Sequence, residues 1–174
     1  MQDLKIKDFD KIFSMLNDNF TDDEHRNYDR QKELLSNELY KIKVTRKNDE
    51  IKAFVAFWTF KNFIYIEHLA VDKSCQGTGI GTEILKELLD NTGKIIVLEV
   101  QPPKDANSKR RIKFYKTNGF HYNDYEYLQP AYSKDKNDIE LKILSSTRKI
   151  NDEEFNEVVN YLYKYVYNQK EKEN

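Results

Sequence analysis

The segment VDKSCQGTGIGTEILKELL, residues 71–89, decides how this chain is read. It holds three of the chain's five glycines, Gly77, Gly79 and Gly81, directly after an apolar run and directly before an amphipathic one. Concentrating a scarce residue in one place calls for a local cause. A nucleotide-hydrolase phosphate loop needs GxxxxGK[ST], but Gly81 is followed by Thr82 and Glu83. A dinucleotide fingerprint needs GxGxxG close against a strand end. Counted from Gly77, Thr82 stands where its third glycine belongs, and Asp72 to Gln76 intervene after the strand. A flexible turn with incidental glycines is one reading left. The other is physical. Glycines leading into a helix expose backbone N–H groups with no side chains in the way, and the helix start adds positive partial charge. That combination suits a pyrophosphate.

Outward from this segment the pattern is mixed. Asp8 to Asn17 places Phe9, Ile12, Phe13 and Leu16 at helical spacing, and a second helix is predicted from Tyr28 to Leu39. Tyr40, Ile42 and Val44 alternate with polar residues, as in a half-exposed strand. A turn at residues 48–50 leads to a strand apolar on both faces at 51–60, and a turn at Lys61-Asn62 leads to a third strand at 63–71. A helix is expected from Gly79 to Asn91, stopped by Gly93. The buried strand 94–100 then suits parallel pairing with 63–71. A short helix at 108–118 and strands near 120–128 and 138–145 follow. After Asn151, whose capping box reaches Glu154, a stripe of Phe155, Val158, Val159, Leu162 and Val166 marks one more helix.

The totals bound the function. A chain of 174 residues suits one domain with a core. A net charge of −1 gives no basic field for nucleic acid or an anionic membrane. No apolar run has the length of a membrane-spanning helix, and the first residues lack a signal-peptide core. The single Cys75 cannot form an internal disulfide or a cysteine-rich metal site, and the expected location is cytoplasmic. His25 and His121 have no metal spacing, so no metal site is expected.

Gln76-Gly77-Thr78-Gly79-Ile80-Gly81 resembles the Q/R-x-x-G-x-G/A signature of the GNAT superfamily of N-acetyltransferases. IEHLAVD (66–72) looks like that family's fourth strand, and IKFYKTNGF (112–120) is similar to its later FYxxxGF segment. The order of elements agrees as well. The resemblance implies an α/β fold of the α+β mixed-sheet kind: a central mixed β-sheet with a splayed parallel strand pair, flanked by helices. It covers residues 1–146, the expected acetyltransferase domain. Residues 147–174 lie outside the usual pattern, as a C-terminal helical extension of the same domain. Other segments suggest a bacterial branch whose acceptor the residues do not identify.

The resemblance also implies roles. The cosubstrate would be acetyl-CoA, with an amine as acceptor. Backbone N–H groups from Gln76, Gly77, Thr78, Gly79, Ile80 and Gly81, with Thr82, would cradle the pyrophosphate. Backbone of Leu69, Ala70 and Val71 would pair with the pantetheine arm like an added strand, and one N–H near Leu69 would face the thioester oxygen. Tyr115 holds the family's FY position, where it would protonate the departing thiolate; its bland alternative is core packing. The family's asparagine slot near the start of this helix falls on Ser108, with Asn107 beside it. Lys109, Arg110, Arg111 and Lys113 are either near the 3′-phosphate or a solvated face.

An acceptor amine must lose a proton before it attacks, and a carboxylate, directly or through water, can take it. By alternation Glu67 shares a face with Phe63, Tyr65, Leu69 and Val71 in an otherwise apolar strand, which marks it as the leading base. The alternative for Glu67 is an ion pair with Arg or Lys, and Glu99 is the rival base. His68 points to the other face and is expected in the core. Asp22, Asp23 and Glu24 would either attract a cationic amine or form a solvated loop, and Tyr125, Tyr127 and Tyr132 would wall an acceptor pocket or merely pack. Two classes of function are therefore open: an N-acetyltransferase acting on a primary amine of a small molecule or peptide, and a non-catalytic acyl-CoA-binding module. The tail stripe serves either a homodimer contact or packing onto the sheet, with packing as the default.

Overall fold

The computed structural model describes residues 1–169. The chain forms two compact units, the first spanning Met1–Leu98 and the second beginning at Glu99. The first contains a mixed sheet in the order β1 (Gln2–Asp3), β2 (Tyr40–Lys47), β3 (Glu50–Thr59), β4 (Phe63–Val71) and β5 (from Ile95). β1 to β4 are antiparallel to their neighbours, and β5 is parallel to β4. Helices α1 (Phe9–Asn19) and α3 (Ile80–Asp90) pack on this sheet, and α2 is a short helix over Tyr28–Glu33. The mixed sheet with its parallel pair and flanking helices is the fold class the sequence led to.

Local chemistry sets the register. Asn48 and Asp49, both at positive φ (51° and 62°), close a two-residue turn between Lys47 and Glu50. Such left-handed pairs match the twist of a hairpin, and Asn and Asp tolerate them best after glycine. β2 buries Tyr40, Ile42 and Val44 on one face, as its alternation predicts. β3 is buried on both faces from Ala53 to Trp58. α1 contributes Phe9, Ile12, Met15 and Leu16 to the core, and α3 contributes Ile84, Leu85 and Leu88.

The second helix is shorter than its spacing predicts. It ends at Glu33, and a 3₁₀ turn over Leu34–Ser36 replaces the rest. The Ser36 hydroxyl donates to the Glu33 carbonyl, and Asn37 Oδ1 accepts from the Leu39 N–H. Short polar side chains that bond the nearby backbone compete with the helical ladder.

The second unit holds α4 (Ala106–Thr117), β6 (Phe120–Tyr122), β7 (Tyr127–Gln129), β8 (Ile139–Ser146) and α5 (Asp152–Tyr161). β6 and β7 both pair antiparallel with β8. The single strand expected near 120–128 is thus two. Five steps from Tyr122 to Tyr127 are matched by three from Leu144 to Leu141. Asn123 sits at this break with its side chain buried. Its Nδ2 donates to the Ile143 carbonyl at 3.1 Å and to Ser145 Oγ at 2.9 Å, while its Oδ1 accepts from the Ile150 N–H at 3.0 Å. Asn123 therefore ties β8 to the start of the C-terminal extension.

The extension begins with the expected capping box of Asn151 and Glu154. Both Glu154 oxygens also accept from Arg148, and these bonds hold its pKa down at about 2. Phe155 stacks on Tyr125 with centroids 4.2 Å apart, and Val158, Leu162 and Val166 are buried. Much of the apolar stripe is thus consumed by packing.

Asn123→Ala should lower the unfolding free energy by roughly 2–3 kcal/mol, because it strands several buried polar groups at once. Urea titration of the variant against the parent chain measures this.

Candidate functional site

β4 carries candidate site residues of the first unit. Its parallel ladder with β5 runs from Phe63↔Ile95 to Ile66↔Leu98. Residues 67–71 continue past the end of that ladder.

A bulge interrupts β4 at this point. Phe57 pairs with Ile66, but Ala56 pairs with His68, so Glu67 is the extra residue. Phe57 and Ala56 face opposite sides of β3, and the alternation of β4 therefore changes phase across Glu67. This corrects the expectation from strict alternation. Leu69 and Val71 fall on the face of Ile66 and not of Tyr65, and His68 comes to the same side as Glu67.

The Glu67 side chain has 0% exposure. Its Oε1 accepts from Arg26 Nη1 at 2.6 Å, and its Oε2 accepts from Trp58 Nε1 at 3.1 Å. The Arg26 guanidinium also lies 5.9 Å from the centroid of the Trp58 ring. Burial alone would raise the Glu67 pKa, but the charge of Arg26 leads a set of partners that overcome it and hold it below 4.5. Burial, followed by the charge of Glu67, raises Tyr40 well above 10. The Tyr40 hydroxyl accepts from Gln31 Nε2 at 2.7 Å. His68 Nε2 donates to the Glu24 carbonyl at 2.9 Å. Its Nδ1 is buried with no hydrogen-bond partner, 4.0 Å from Glu67 Oε2. Burial is the main reason the His68 pKa is lowered from 6.5.

The loop between α1 and α2 is consequently anchored to β4. Asp22–Glu24 form a 3₁₀ turn capped by Thr21, and His25 and Arg26 are buried. Sequence reading singled out the acids of this loop and passed over Arg26. Only the charge on an apolar strand hinted that a cation had to come from elsewhere.

The glycine segment follows directly. Asp72 Oδ1 accepts from the Ser74 N–H and from Ser74 Oγ, and its pKa falls to about 2, chiefly through those bonds. Lys73–Cys75 make a 3₁₀ turn whose Cys75 is buried. Gly77 (φ +77°) and Gly79 (φ +91°) are both left-handed. Gly79 is the N-cap of α3 and offers no side chain to its first turn. The first intrahelical bond there runs from the Glu83 N–H to the Gly79 carbonyl. The N–H groups of Ile80, Gly81 and Thr82 thus have no partner within the helix. A Cβ on Gly77 or Gly79 would meet nothing within 4 Å. Backbone torsion, not room, demands glycine. An open, side-chain-free cradle of amides fits a diphosphate.

The other residues singled out in the sequence lie in the second unit. Tyr115 is buried against Phe114 and Phe120, and burial pushes its pKa up to about 12. The Asp105 carboxylate caps α4 by accepting from the N–H groups of Asn107 and Ser108. Ser108 Oγ closes the capping box and is buried, whereas Asn107 is exposed. Lys109, Arg110, Arg111 and Lys113 are exposed. Glu99 is partly exposed; Tyr127 Oη donates to its Oε1, and Tyr167 Oη donates to its Oε2 at 2.7 Å. Tyr132 packs on Tyr167, and Tyr125 packs on Phe155. No cluster of three or more His, Cys, Asp or Glu side chains suited to a metal occurs among the described residues. No helix there is long and apolar enough to cross a membrane.

Known proteins share this fold. A family profile described as "Acetyltransferase (GNAT) family" matches residues 9–120. A solved structure from Bacteroides thetaiotaomicron, described as a "Putative acetyltransferase from GNAT family", superposes with a TM-score of 0.87 at 25% identity, covering 97% of this chain and 98% of that one. YncA of Salmonella typhimurium, solved "with its cofactor Acetyl-CoA", shares the fold at a TM-score of 0.59 and 16% identity, over 86% of this chain and 94% of that one. "Putative acetyltransferase YjbC" of Bacillus subtilis (strain 168) is 29% identical over 79 residues, 44% of this chain. The match spans 41% of the length of that curated relative.

Two stability outcomes follow from the buried pair. Glu67→Gln should cost about 3–5 kcal/mol by stranding the Arg26 charge, and the double change Glu67→Met with Arg26→Met should recover much of it; guanidinium unfolding compares them. Both lowered pKa values make acid destabilising. Below pH 6.5 the unfolded chain takes up the His68 proton more readily than the native one. Below 4.5 it does the same at Glu67, whose stabilisation is lost as pH falls through its native pKa. Unfolding free energy measured from pH 7 to 3 should fall in both windows, and Glu67→Gln should shrink the lower component, to which Asp72 and Glu154 also contribute.

Proposed function

The chain belongs to the GNAT acetyltransferase family, an acetyl-CoA-dependent class of enzyme, and on that premise we propose that it acetylates a primary amine of a small molecule or peptide. The observation that carries the proposal is the left-handed glycine lead into α3, with its open first turn of amides just past the end of β4. Acetyl-CoA supplies the thioester. In this reading the backbone from Gln76 to Thr82 holds its pyrophosphate. The backbone of Leu69, Ala70 and Val71 pairs with the pantetheine arm, and an N–H near Leu69 donates to the thioester oxygen. Asn107 serves the arm, since the Ser108 hydroxyl is engaged in the helix cap.

Proton traffic needs one base and one acid. The acceptor arrives as an ammonium and gives a proton to a carboxylate. Its nitrogen then bonds to the acetyl carbon as the carbon–sulfur bond breaks, Tyr115 protonates the thiolate, and the second proton that the nitrogen sheds on becoming an amide restores the Tyr115 phenol. A phenol with a pKa of about 12 remains a donor throughout the neutral range. Of the two carboxylates, Glu67 has no exposure and is held ionised by Arg26, which suits it to anchor the 21–27 loop. Glu99 is partly exposed. The geometry favours Glu99 as the base, with Glu67 as the alternative.

Release of free thiol from acetyl-CoA, measured with a panel of polyamines, aminoglycosides, amino acids and N-terminal peptides, tests the reading. At least one amine should accelerate release, and Tyr115→Phe and Glu99→Gln should each slow it by about 10²-fold or more. Thiol release no faster with any amine than without would sink the proposal. By calorimetry, Gly79→Ala should weaken coenzyme A binding and cost the fold about 1–2 kcal/mol, the strain of a left-handed alanine.

A further inference from the structure

We propose that Tyr167, supplied by the C-terminal extension, is a positioning residue for Glu99. The proposal rests on the reading of Glu99 as the base.

A glutamate carboxylate on a partly exposed strand residue has rotamer freedom to lose before it can meet a substrate proton. Here both its oxygens are held. Tyr127 Oη donates to Oε1 from β7, and Tyr167 Oη donates to Oε2 at 2.7 Å from beyond α5. Each phenol fixes one oxygen, so together they set the plane of the carboxylate.

The chain builds the Tyr167 contact at some cost. α5 does not fray after Tyr161 but widens into a π turn over Leu162–Val166. The Tyr167 N–H reaches back five residues to the Leu162 carbonyl at 3.0 Å, and the Gln169 N–H bonds the Tyr163 carbonyl at 2.8 Å. π turns are rare and concentrate at functional sites. This one buries Leu162, Val166 and Tyr167 together, and the Tyr132 ring packs against Tyr167 with centroids 5.0 Å apart. The phenol is thus held by packing on one side and by its bond to Glu99 on the other. A tail that served only to cover apolar surface would place Phe as well as Tyr at this position.

The surroundings of Glu99 also include Tyr163, which burial and then the charges of Glu99 and Asp138 shift upward. Tyr127 is raised well above 10 by burial and then by Glu99. These phenols are therefore protonated donors at neutral pH, and Asp138 is a further negative charge acting on Tyr163. Donors to a carboxylate favour its charged form. Removing one should make Glu99 harder to ionise.

The test uses the full chain labelled with carboxyl-¹³C glutamate. The Glu99 resonance is assigned by its loss in Glu99→Gln and titrated by NMR. In Tyr167→Phe, which keeps the ring, the midpoint should rise by about half a unit or more, and Tyr127→Phe should move it the same way. Tyr165→Phe, in the same turn but 40% exposed, should leave it unchanged. With an amine found active in the panel, the acid limb of kcat/KM should move up with the midpoint, and kcat should fall severalfold at constant KM for acetyl-CoA. An unmoved midpoint in Tyr167→Phe, with Glu99→Gln inactive, overturns the positioning role alone. Full activity in Glu99→Gln overturns the base assignment, and with it any catalytic meaning of the contact.

Discussion

A carboxylate shut off from water must be given a cation and donors, and much of the first unit is arranged around meeting that demand at Glu67. The isolated charge would be too costly to bury. Arg26 supplies the cation and Trp58 a neutral donor. Because Arg26 belongs to the connection between α1 and α2, its engagement ties that connection to the middle of the sheet. The Glu24 carbonyl, bonded by His68, adds a second tie. The bulge makes both contacts reachable, since it puts Glu67 and His68 on the same side of the strand. It also sets the side-chain phase of Leu69–Val71, the segment assigned to the cosubstrate. A structural ion pair and the proposed binding edge thus meet at one irregularity in β4.

The fold was largely legible because its signals are local. The Asn48-Asp49 turn, the alternation of Tyr40, Ile42 and Val44, and the glycine lead into α3 all act within a few residues, and the strand at 63–71 is found at its expected limits. The losses also have physical causes. The helix from Tyr28 stops early because Ser36 and Asn37 bond the backbone, and no hydrophobic period records that. The strand near 120–128 breaks because one asparagine satisfies partners distant in sequence. A bulge leaves no mark in the sequence of its own strand, so strict alternation assigned Leu69, Val71 and His68 to the wrong faces.

The site was legible to the extent that backbone carries it. Glycines at positive φ announce themselves, because few other residues take that torsion. Side-chain partners did not. Arg26 lies 41 positions from Glu67, and Tyr167 lies 68 positions from Glu99. With 12 tyrosines in the chain, nothing distinguishes Tyr167 until the tail is folded. The resemblance to a family supplied the role of Tyr115 but could say nothing of the extension, which lies outside the shared pattern.

The chain has one sulfhydryl, and it closes the turn that leads to the glycines. Cys75 is 7% exposed. At that exposure an alkylating reagent reaches it through local opening, so the rate of its modification reads how often its surroundings part. The molecule thus carries a built-in reporter of local opening beside its glycine segment, readable without any introduced label.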